Sequence, residues 1–437
     1  MTQLNLDAYW LPFTSNRAFK KDPRIIVAGE GRYFTDDRGR EVFDSLSGLW
    51  TCGLGHARAE IAEAIGQQAR ELDYAPAFNV AHPKAFQLAE RLTTFMPEGL
   101  NRVFFTCSGS DAVDSAMKIA RAYWRKQGLA NKTRFIGRVK GYHGVNFGGI
   151  SVGGIVGNRL LYGQGVEADH LPHTMTAENK FSRGQPEQGA HLADELLNLI
   201  ALHDASTIAA VIVEPMAGSA GVIPPPQGYL QRLREICTTH NILLIFDEVI
   251  TGLGRLGANT GAAAFGVVPD MLTLAKQITN GCQPMGAVVA KESIYQCFMD
   301  KSGAEHMIEL PHGYTYSAHP IACAAGLAAL DILEREQMPE RVKAIAPLFE
   351  KTLHSLQGSS PYIVDIRNCG LAGGISLQAK DGDAVIRPYQ VALKCWEKGF
   401  YVRHGGDVVQ LGLPFTVEAS EIDAVINAIG EAIAELN

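Results

Sequence analysis

Short runs of apolar residues recur along the chain, and within each run the apolar residues follow one another instead of alternating with polar ones. Continuous runs of about four to eight residues are typical of strands that are covered on both faces, as in a mostly parallel sheet. The pattern therefore predicts buried strands at residues 103–106, 209–214, 242–249, 271–275 and 286–290.

Helical periodicity appears between these runs. Residues 109–125 place apolar side chains on one stripe and basic side chains opposite, which predicts an amphipathic helix. Further helices are predicted at 192–203 and 228–239. The alternation of strands and helices predicts an open α/β sheet over roughly residues 55–320.

The C-terminal part of the chain has a different pattern. A helical run at 321–336 precedes a charged segment, an apolar patch at 370–377 and a final amphipathic helix, for which Ser420 is the predicted N-cap. This mixture predicts a second, smaller α+β domain.

The N-terminal segment contains strand-like pieces in residues 25–44, with a turn at 36–39, and we expect it to join the smaller domain. The predicted fold class is α/β. A large domain at 55–325 would hold a mostly parallel sheet, and a small α+β domain would be formed by residues 1–54 and 326–437.

Composition and charge narrow the function. The 437 residues carry a net charge of -7 without a run of Lys and Arg, so no nucleic-acid partner is expected. No apolar stretch approaches the ~20 residues that span a bilayer, and the first residues lack the regions of a signal peptide. None of the eight cysteines forms a CxxC pair, and no histidines have zinc-ligand spacing. We therefore expect a cytoplasmic protein with reduced thiols, no metal site and no membrane partner.

Two charged residues at strand ends point to chemistry. Asp247 ends an apolar run, where a carboxylate is costly without a positive partner, and a protonated pyridine nitrogen would suit it. Lys276 closes another run, where partial desolvation lowers the pKa of a lysine and favours a Schiff base. Each residue alone has a plainer alternative, a strand-end cap for Asp247 and a surface-reaching ammonium for Lys276. Their joint position at the ligand-binding edge of a parallel sheet favours the chemical interpretation.

Two loops add candidate ligands for a phosphorylated, flat cofactor. Ser108, Gly109 and Ser110 lie between a predicted strand and helix, where free N–H groups and the helix dipole attract phosphate. An ordinary serine N-cap remains the alternative there. Residues 141–144 present Tyr142 in a glycine-flanked loop that suits stacking on a flat ring.

Two other motifs are disfavoured. Residues 149–153 match the GxSxG pattern of hydrolases, but the neighbouring glycines predict a loop instead of the required strand, turn and helix. Residues 252–257 match the GxGxxG pattern of dinucleotide-binding folds, but glycines interrupt the helix that should follow. A nicotinamide site would also leave Asp247 and Lys276 without a role.

The segments together resemble the class III aminotransferases, which are pyridoxal 5′-phosphate (PLP) enzymes of the fold-type-I group. The resemblance covers nearly the whole chain, and its motifs follow the family's order. They are Ser-Gly-Ser-Asp-Ala at 108–112, Tyr-His-Gly at 142–144, Glu-Pro at 214–215, Pro-Pro-Gln-Gly-Tyr-Leu at 225–230, Phe-Asp-Glu-Val-Ile-Thr-Gly at 246–252, Lys276, and Tyr-Thr-Tyr-Ser-Ala-His-Pro at 314–320. Within the class, residues 45–53, 367–373 and 399–403 resemble the ω-amino acid:pyruvate (β-alanine:pyruvate) group.

The resemblance implies roles for individual residues. Lys276 would hold PLP as a Schiff base and act as general acid and base, while Asp247 would keep the pyridine nitrogen protonated. The other cofactor-binding residues that it implies are Ser108, Gly109, Ser110, Tyr142, His143, Glu214, Val249 and Thr315. Thr315 would come from a neighbouring subunit, which implies a homo-oligomer, either a dimer or a dimer of dimers, with active sites at the subunit interface.

The resemblance also implies a substrate site. Leu49 and Trp50 would form an apolar wall, and Arg403 would bind a carboxylate. The expected reaction moves the amino group of an ω-amine such as β-alanine to pyruvate, giving alanine and an aldehyde or ketone. The alternatives are a GABA- or ornithine-type transaminase that uses 2-oxoglutarate, an aminomutase, a nicotinamide dehydrogenase, or a PLP-fold protein that only binds.

Overall fold

The computed structural model describes residues 4–436. Its α-helices are α1 (Asn16–Phe19), α2 (Ser47–Trp50), α3 (Ala59–Glu71), α4 (Pro83–Thr93), α5 (Gly109–Lys126), α6 (Phe147–Val152), α7 (Val156–Tyr162), α8 (Glu195–His203), α9 (Tyr229–Thr239), α10 (Gly261–Phe265), α11 (Glu292–Asp300), α12 (Pro320–Arg335), α13 (Met338–His354), α14 (Ile386–Glu397) and α15 (Ala419–Ala434). Short 3-10 helices lie at Ala177–Asn179, Ala190–Asp194, Ala205–Thr207 and Lys276–Thr279.

The strands form three sheets. They are β1 (Ile26–Glu30), β2 (Tyr33–Asp36), β3 (Glu41–Asp44), β4 (Leu100–Thr106), β5 (Arg134–Arg138), β6 (Ala168–Leu171), β7 (Ile208–Val213), β8 (Leu243–Asp247), β9 (Met271–Leu274), β10 (Gly286–Lys291), β11 (Ile363–Cys369), β12 (Ala372–Leu377), β13 (Phe400–Tyr401), β14 (Arg403–Gly405) and β15 (Val408–Gly412).

The largest sheet has seven strands in the order β4-β10-β9-β8-β7-β5-β6. Strands β9, β8, β7, β5 and β6 are parallel, and β10 runs antiparallel to β4 and β9. The predicted α/β class with a mostly parallel sheet is confirmed, and each of the five predicted strands is present. Strands β5 and β6 were not predicted, because β5 has only Phe135 and Ile136 as large apolar residues between two arginines. Strand β5 is buried because it lies between β7 and β6 in the sheet.

Burial on both faces explains the continuous apolar runs. Every residue of β7, β8 and β9 is buried. Helix α5 packs its apolar stripe against this sheet, and the Trp124 indole N–H donates to the carbonyl oxygen of Ala209 at 2.8 Å. A buried indole nitrogen without such an acceptor would be costly.

Two smaller four-stranded sheets lie outside this core, in the orders β1-β2-β3-β13 and β11-β12-β15-β14. Strand β13 pairs in parallel with β3, so a strand near the C-terminus completes a sheet begun near the N-terminus. This pairing agrees with the expectation that residues 1–54 and 326–437 form one domain. The division into two domains stays a prediction.

Two local predictions were wrong. The N-cap of α15 is Glu418, not Ser420, because Glu418 and Glu421 form a reciprocal capping box with each other's backbone N–H groups. The GxSxG segment at 149–153 was predicted to be a loop, but most of it lies in α6. Ser151 is buried there, and its hydroxyl accepts from the Gly165 N–H at 2.8 Å. A hydrolase nucleophile at Ser151 is therefore still disfavoured, because of this burial and hydrogen bond and not because the segment is a loop.

Three general expectations can be compared with the described residues. No helix between residues 4 and 436 combines the length and the apolar character that crossing a membrane requires. The same part of the chain contains no cluster of three or more His, Cys, Asp or Glu side chains that could hold a metal ion. All eight cysteines carry free thiols.

Candidate active site

A cavity of about 320 Å³ opens at the carboxyl edge of the large sheet. The residues that follow the parallel strands β5, β7, β8 and β9 meet there, as expected for a ligand site of an open α/β sheet. The lining residues are Thr51, Cys107, Ser108, Gly109, Ser110, Tyr142, Gly144, Glu214, Asp247, Val249, Ile250, Ala275, Lys276, Thr279, Gly281, Gln283, Pro284 and Met285. The structure therefore brings most of the predicted cofactor-binding residues together.

Asp247 is the last residue of β8 and is almost fully buried. Its Oδ2 faces the His143 Nδ1 at 2.8 Å, and its Oδ1 accepts from the Val249 N–H at 3.1 Å and the Thr273 hydroxyl at 3.2 Å. Three donors of this kind fix the orientation of the carboxylate and offset part of its desolvation. His143 does not line the cavity, and it lies beside Asp247 as a positioning residue.

The carboxylate of Glu214, just after β7, is also buried beside the cavity. Its two oxygens accept from the N–H groups of Tyr142 and Gly218, each at 2.9 Å. Burial raises the pKa of Glu214 to about 6, and the charge of Asp247 adds to the increase. The hydrogen bond from the Tyr142 N–H means that Glu214 holds the loop that carries Tyr142.

Lys276 follows β9 and begins a 3-10 helix with a backbone φ of 46°, a left-handed conformation that is strained for lysine. Burial lowers the pKa of its ammonium to about 8; Asp247 and Glu214 oppose this decrease and Arg403 adds to it. Within residues 4–436 its Nζ has no hydrogen-bond or ion-pair partner. A lysine amine that is partly neutral near pH 8 is a nucleophile and a proton carrier.

The loop before α5 offers an anion site. The Ser108 hydroxyl caps the helix by accepting from the Asp111 N–H at 3.2 Å. The N–H groups of Gly109 and Ser110 find no acceptor in the described part of the chain, and both residues line the cavity. An added Cβ at Gly109 would lie 3.0 Å from both methyl groups of Val249, so any other residue here would push against Val249. Free N–H groups at the start of an 18-residue helix suit a phosphate.

The predicted substrate residues are not in the wall of this cavity. Arg403 lies in β14, half-buried, and its charge adds to the decrease in the pKa of Lys276 that burial causes. Leu49 is exposed, and Trp50 is buried in a cluster with Met216, Val222 and Ile250.

Thr315 is also absent from the wall of this cavity. It is exposed, and its carbonyl oxygen accepts from the Tyr74 hydroxyl at 3.0 Å.

Sequence reasoning missed Arg255, which lies inside the disfavoured GxGxxG segment. Its guanidinium is fully buried between the rings of Trp50 and Phe415, at 5.6 and 4.7 Å from their centroids. It also donates to the Ser47 hydroxyl at 3.3 Å and to the carbonyl oxygen of Leu413. Arg255 thus supports the turn that carries Leu49 and Trp50, and only its neighbours in space reveal this.

The side chains around the cavity fit PLP. Asp247 is held where it can pair with a ring nitrogen, Lys276 is an amine without a partner in the described chain, and the free N–H groups of Gly109 and Ser110 suit the phosphate. Tyr142 and Val249 line the space between them. The fold and this set of residues are those of a PLP-dependent enzyme.

Comparisons with known proteins define the family. Residues 14–433 match the model of the aminotransferase class-III family. The chain is 58% identical over 433 residues to the β-alanine–pyruvate aminotransferase of Pseudomonas aeruginosa, covering 99% of this chain and 96% of that one. It is 56% identical over 437 residues to the ω-amino acid–pyruvate aminotransferase of Pseudomonas putida, with 100% and 97% covered.

Comparison with a solved structure supports the same family. The crystal structure of an amine transaminase from an uncultivated Pseudomonas species, in the PLP-bound (internal aldimine) form, superposes with a TM-score of 0.91 at 38% identity and covers 98% of this chain and 99% of that one. The chain belongs to the class-III aminotransferases, which are PLP-dependent.

The low pKa of Lys276 makes stability depend on pH. In protein freed of PLP, we expect Lys276→Met to be more stable than the unchanged chain below about pH 8, and this advantage to shrink as the pH rises further. Between pH 8 and the ordinary lysine pKa of about 10.4, the unfolded chain binds more protons, so the stability of the unchanged chain rises with pH. Thermal unfolding midpoints measured from pH 6 to 10 test this. Lys118→Met at an exposed position is the control, and an equal pH trend in both variants would contradict the prediction.

Proposed function

We propose that the chain is an ω-amino acid:pyruvate aminotransferase that moves the amino group of β-alanine or a similar ω-amine to pyruvate. The observation that carries the proposal is the arrangement around one cavity. Lys276 and Asp247 face it together, and the charge of Arg403 acts on Lys276. The names of the Pseudomonas relatives support the same substrates.

The residues of this chain would divide the work as follows. PLP, when bound, supplies a protonated pyridine ring that accepts the electrons released at the substrate carbon. Asp247, held by His143 and Thr273, would keep the ring nitrogen protonated. Lys276 would attach the cofactor and then carry a proton to and from the substrate carbon, because an amine with a pKa of about 8 exchanges protons readily near neutral pH.

Arg403 would select carboxylates. Within residues 4–436 its guanidinium has no ion-pair partner, although it is half-buried. A guanidinium in this state gains most from a bidentate carboxylate, and both pyruvate and β-alanine carry one. A substrate wall formed by Leu49 and Trp50 stays a prediction, because neither residue lines the cavity.

We propose that the active enzyme is a homodimer or a dimer of dimers, and that Thr315 completes the phosphate site of a second copy. Thr315 is exposed and outside the wall of its own chain's cavity, which supports a role across a subunit interface. A cytoplasmic location stays a prediction.

The function is tested by following the visible absorbance of the bound cofactor in the purified protein. We expect β-alanine without an acceptor to bleach the band, and pyruvate to restore it with formation of alanine. Recovery with 2-oxoglutarate alone would favour a GABA- or ornithine-type transaminase. Absence of a cofactor band after incubation with PLP would contradict the proposal as a whole.

The role of Arg403 predicts a selective defect. Arg403→Gln should raise KM for pyruvate and β-alanine about 10- to 100-fold, because hydrogen bonds to charged groups contribute about 1.5–3 kcal/mol. KM for a donor without a carboxylate, 1-phenylethylamine, should change little. The exposed Arg125→Gln is the matched control. An equal loss with all donors would instead indicate a purely structural role for Arg403.

The shared site predicts complementation between two defective variants. Lys276→Ala should be inactive, and Thr315→Ala should bind PLP weakly. In a mixed dimer, one of the two sites keeps both native residues, so about half of the native activity per dimer should return. Co-expression with two affinity tags yields the mixed dimer for assay. Mixed dimers no more active than Thr315→Ala alone would show that Thr315 serves its own chain or no site.

A further inference from the structure

An ion pair joins the two ends of residues 45–55, which we call the 45–55 loop. The Nε2 of His56 lies 2.7 Å from the Oδ2 of Asp44, and Asp44 is fully buried. Burial alone would lower the pKa of His56, but its contacts, with the hydrogen bond to Asp44 first among them, raise the pKa to about 9. The imidazole therefore carries a charge at neutral pH, and the pair closes the loop at its base.

Asp44 also holds the part of the loop that has a left-handed backbone. Its carboxylate oxygens accept from the Leu46 N–H at 3.2 Å and from the Gly48 N–H at 2.5 Å. Ser47 and Gly48 have φ values of 49° and 68°. A buried carboxylate needs all of its donors, so loss of the His56 donor would leave Asp44 short of a partner and loosen the loop.

The far side of the 45–55 loop is tied to the turn that follows Lys276. Within residues 53–55, one N–H donates to the side-chain oxygen of Gln277 at 3.0 Å. A second N–H and a carbonyl oxygen bond the side chain of Asn280 at 3.0 and 2.8 Å. All three hydrogen bonds are buried, so they are shielded from competition with water. The loop and the turn therefore move together.

The turn needs this support because its own backbone is strained. Lys276 and Asn280 have φ values of 46° and 51°, in the left-handed region. The Gly281 N–H donates to the carbonyl oxygen of Lys276 at 3.2 Å and closes the turn. Residues in this conformation persist where surrounding contacts hold them. The 45–55 loop thus supports the backbone that carries the Lys276 amine.

We propose that Asp44 and His56 are positioning residues, whose ion pair keeps the loop docked on the turn after Lys276 and so holds the amine in place for proton transfer. The inference rests on the proposed role of Lys276 as the proton carrier. Neither Asp44 nor His56 lines the cavity, so both act through the loop. Loss of the pair should lower kcat and leave KM nearly unchanged, in contrast to the KM effect expected for Arg403→Gln.

The test compares His56→Phe and His56→Gln with the unchanged, PLP-loaded enzyme. Phenylalanine keeps a ring beside Phe34, whose centroid lies 4.4 Å from that of the His56 ring, but it donates no hydrogen bond. Glutamine keeps an N–H donor near the position of Nε2. We expect kcat to fall about tenfold or more in His56→Phe, with KM changed by less than about twofold, and most of kcat to return in His56→Gln.

Hydrogen–deuterium exchange of the same proteins gives a readout that needs no turnover. His56→Phe should speed exchange about tenfold in peptides that cover residues 45–55 and 276–283, because both segments lose the same support. His203→Phe is the matched control, since its Nε2 lies 3.1 Å from the Oδ2 of Asp169 and neither residue lines the cavity. This control should leave kcat and the exchange of residues 276–283 unchanged.

A second variant tests the contact between loop and turn even where His56→Phe does not fold. Asn280→Gly removes the bridging side chain, and glycine accepts the positive φ at this position. It should also lower kcat without raising KM, and adding His56→Phe to it should lower kcat little further.

Three outcomes would overturn the proposal. They are a native kcat in Asn280→Gly, a loss in His56→Phe that appears in KM instead of kcat, or faster exchange that is confined to residues 45–55. Exchange is measured without substrates, so its result is separate from the test of the proposed function.

Discussion

The site depends on one constraint: a carboxylate must be kept at the end of a strand that is otherwise wholly apolar. The five residues of β8 are buried, and the last of them is Asp247. An unpaired charge in such a place costs several kcal/mol, so the surrounding loops are arranged to supply donors. His143 comes from the loop after β5 and Thr273 from β9. Asp247 therefore joins the end of β8 to β9 and to the loop after β5.

The turns on either side of the cavity contain residues with a left-handed backbone. Lys276 and Asn280 have φ values of 46° and 51°, and Ser47 and Trp50 have values of 49° and 65°. Residues in this region persist only where surrounding contacts hold them. Asn280 is held by Leu54 and Gly55, so each strained turn supports the other.

The balance of charge around Lys276 suits its chemistry. Burial alone would favour the neutral amine, and the carboxylates of Asp247 and Glu214 counter it. Arg403 acts in the opposite direction to these carboxylates, and under the proposed function a substrate carboxylate would meet it. Binding of pyruvate or β-alanine would then weaken the effect of Arg403 on Lys276 and raise the pKa of the amine. Under the proposed function, substrate binding and proton transfer would be coupled in this way through one guanidinium.

The sequence alone determined the features that depend on local periodicity. Continuous apolar runs identified β7, β8 and β9, and the residues directly after them, including Lys276, had to meet at one sheet edge because parallel strands end together. Only the tertiary structure decided the rest. The burial of β5 and the position of Arg403 near Lys276 depend on contacts between distant segments. The spacing of apolar side chains along the sequence indicates which face of a helix or strand each residue occupies. Loop conformations, in contrast, are set by hydrogen bonds and packing with residues elsewhere in the chain.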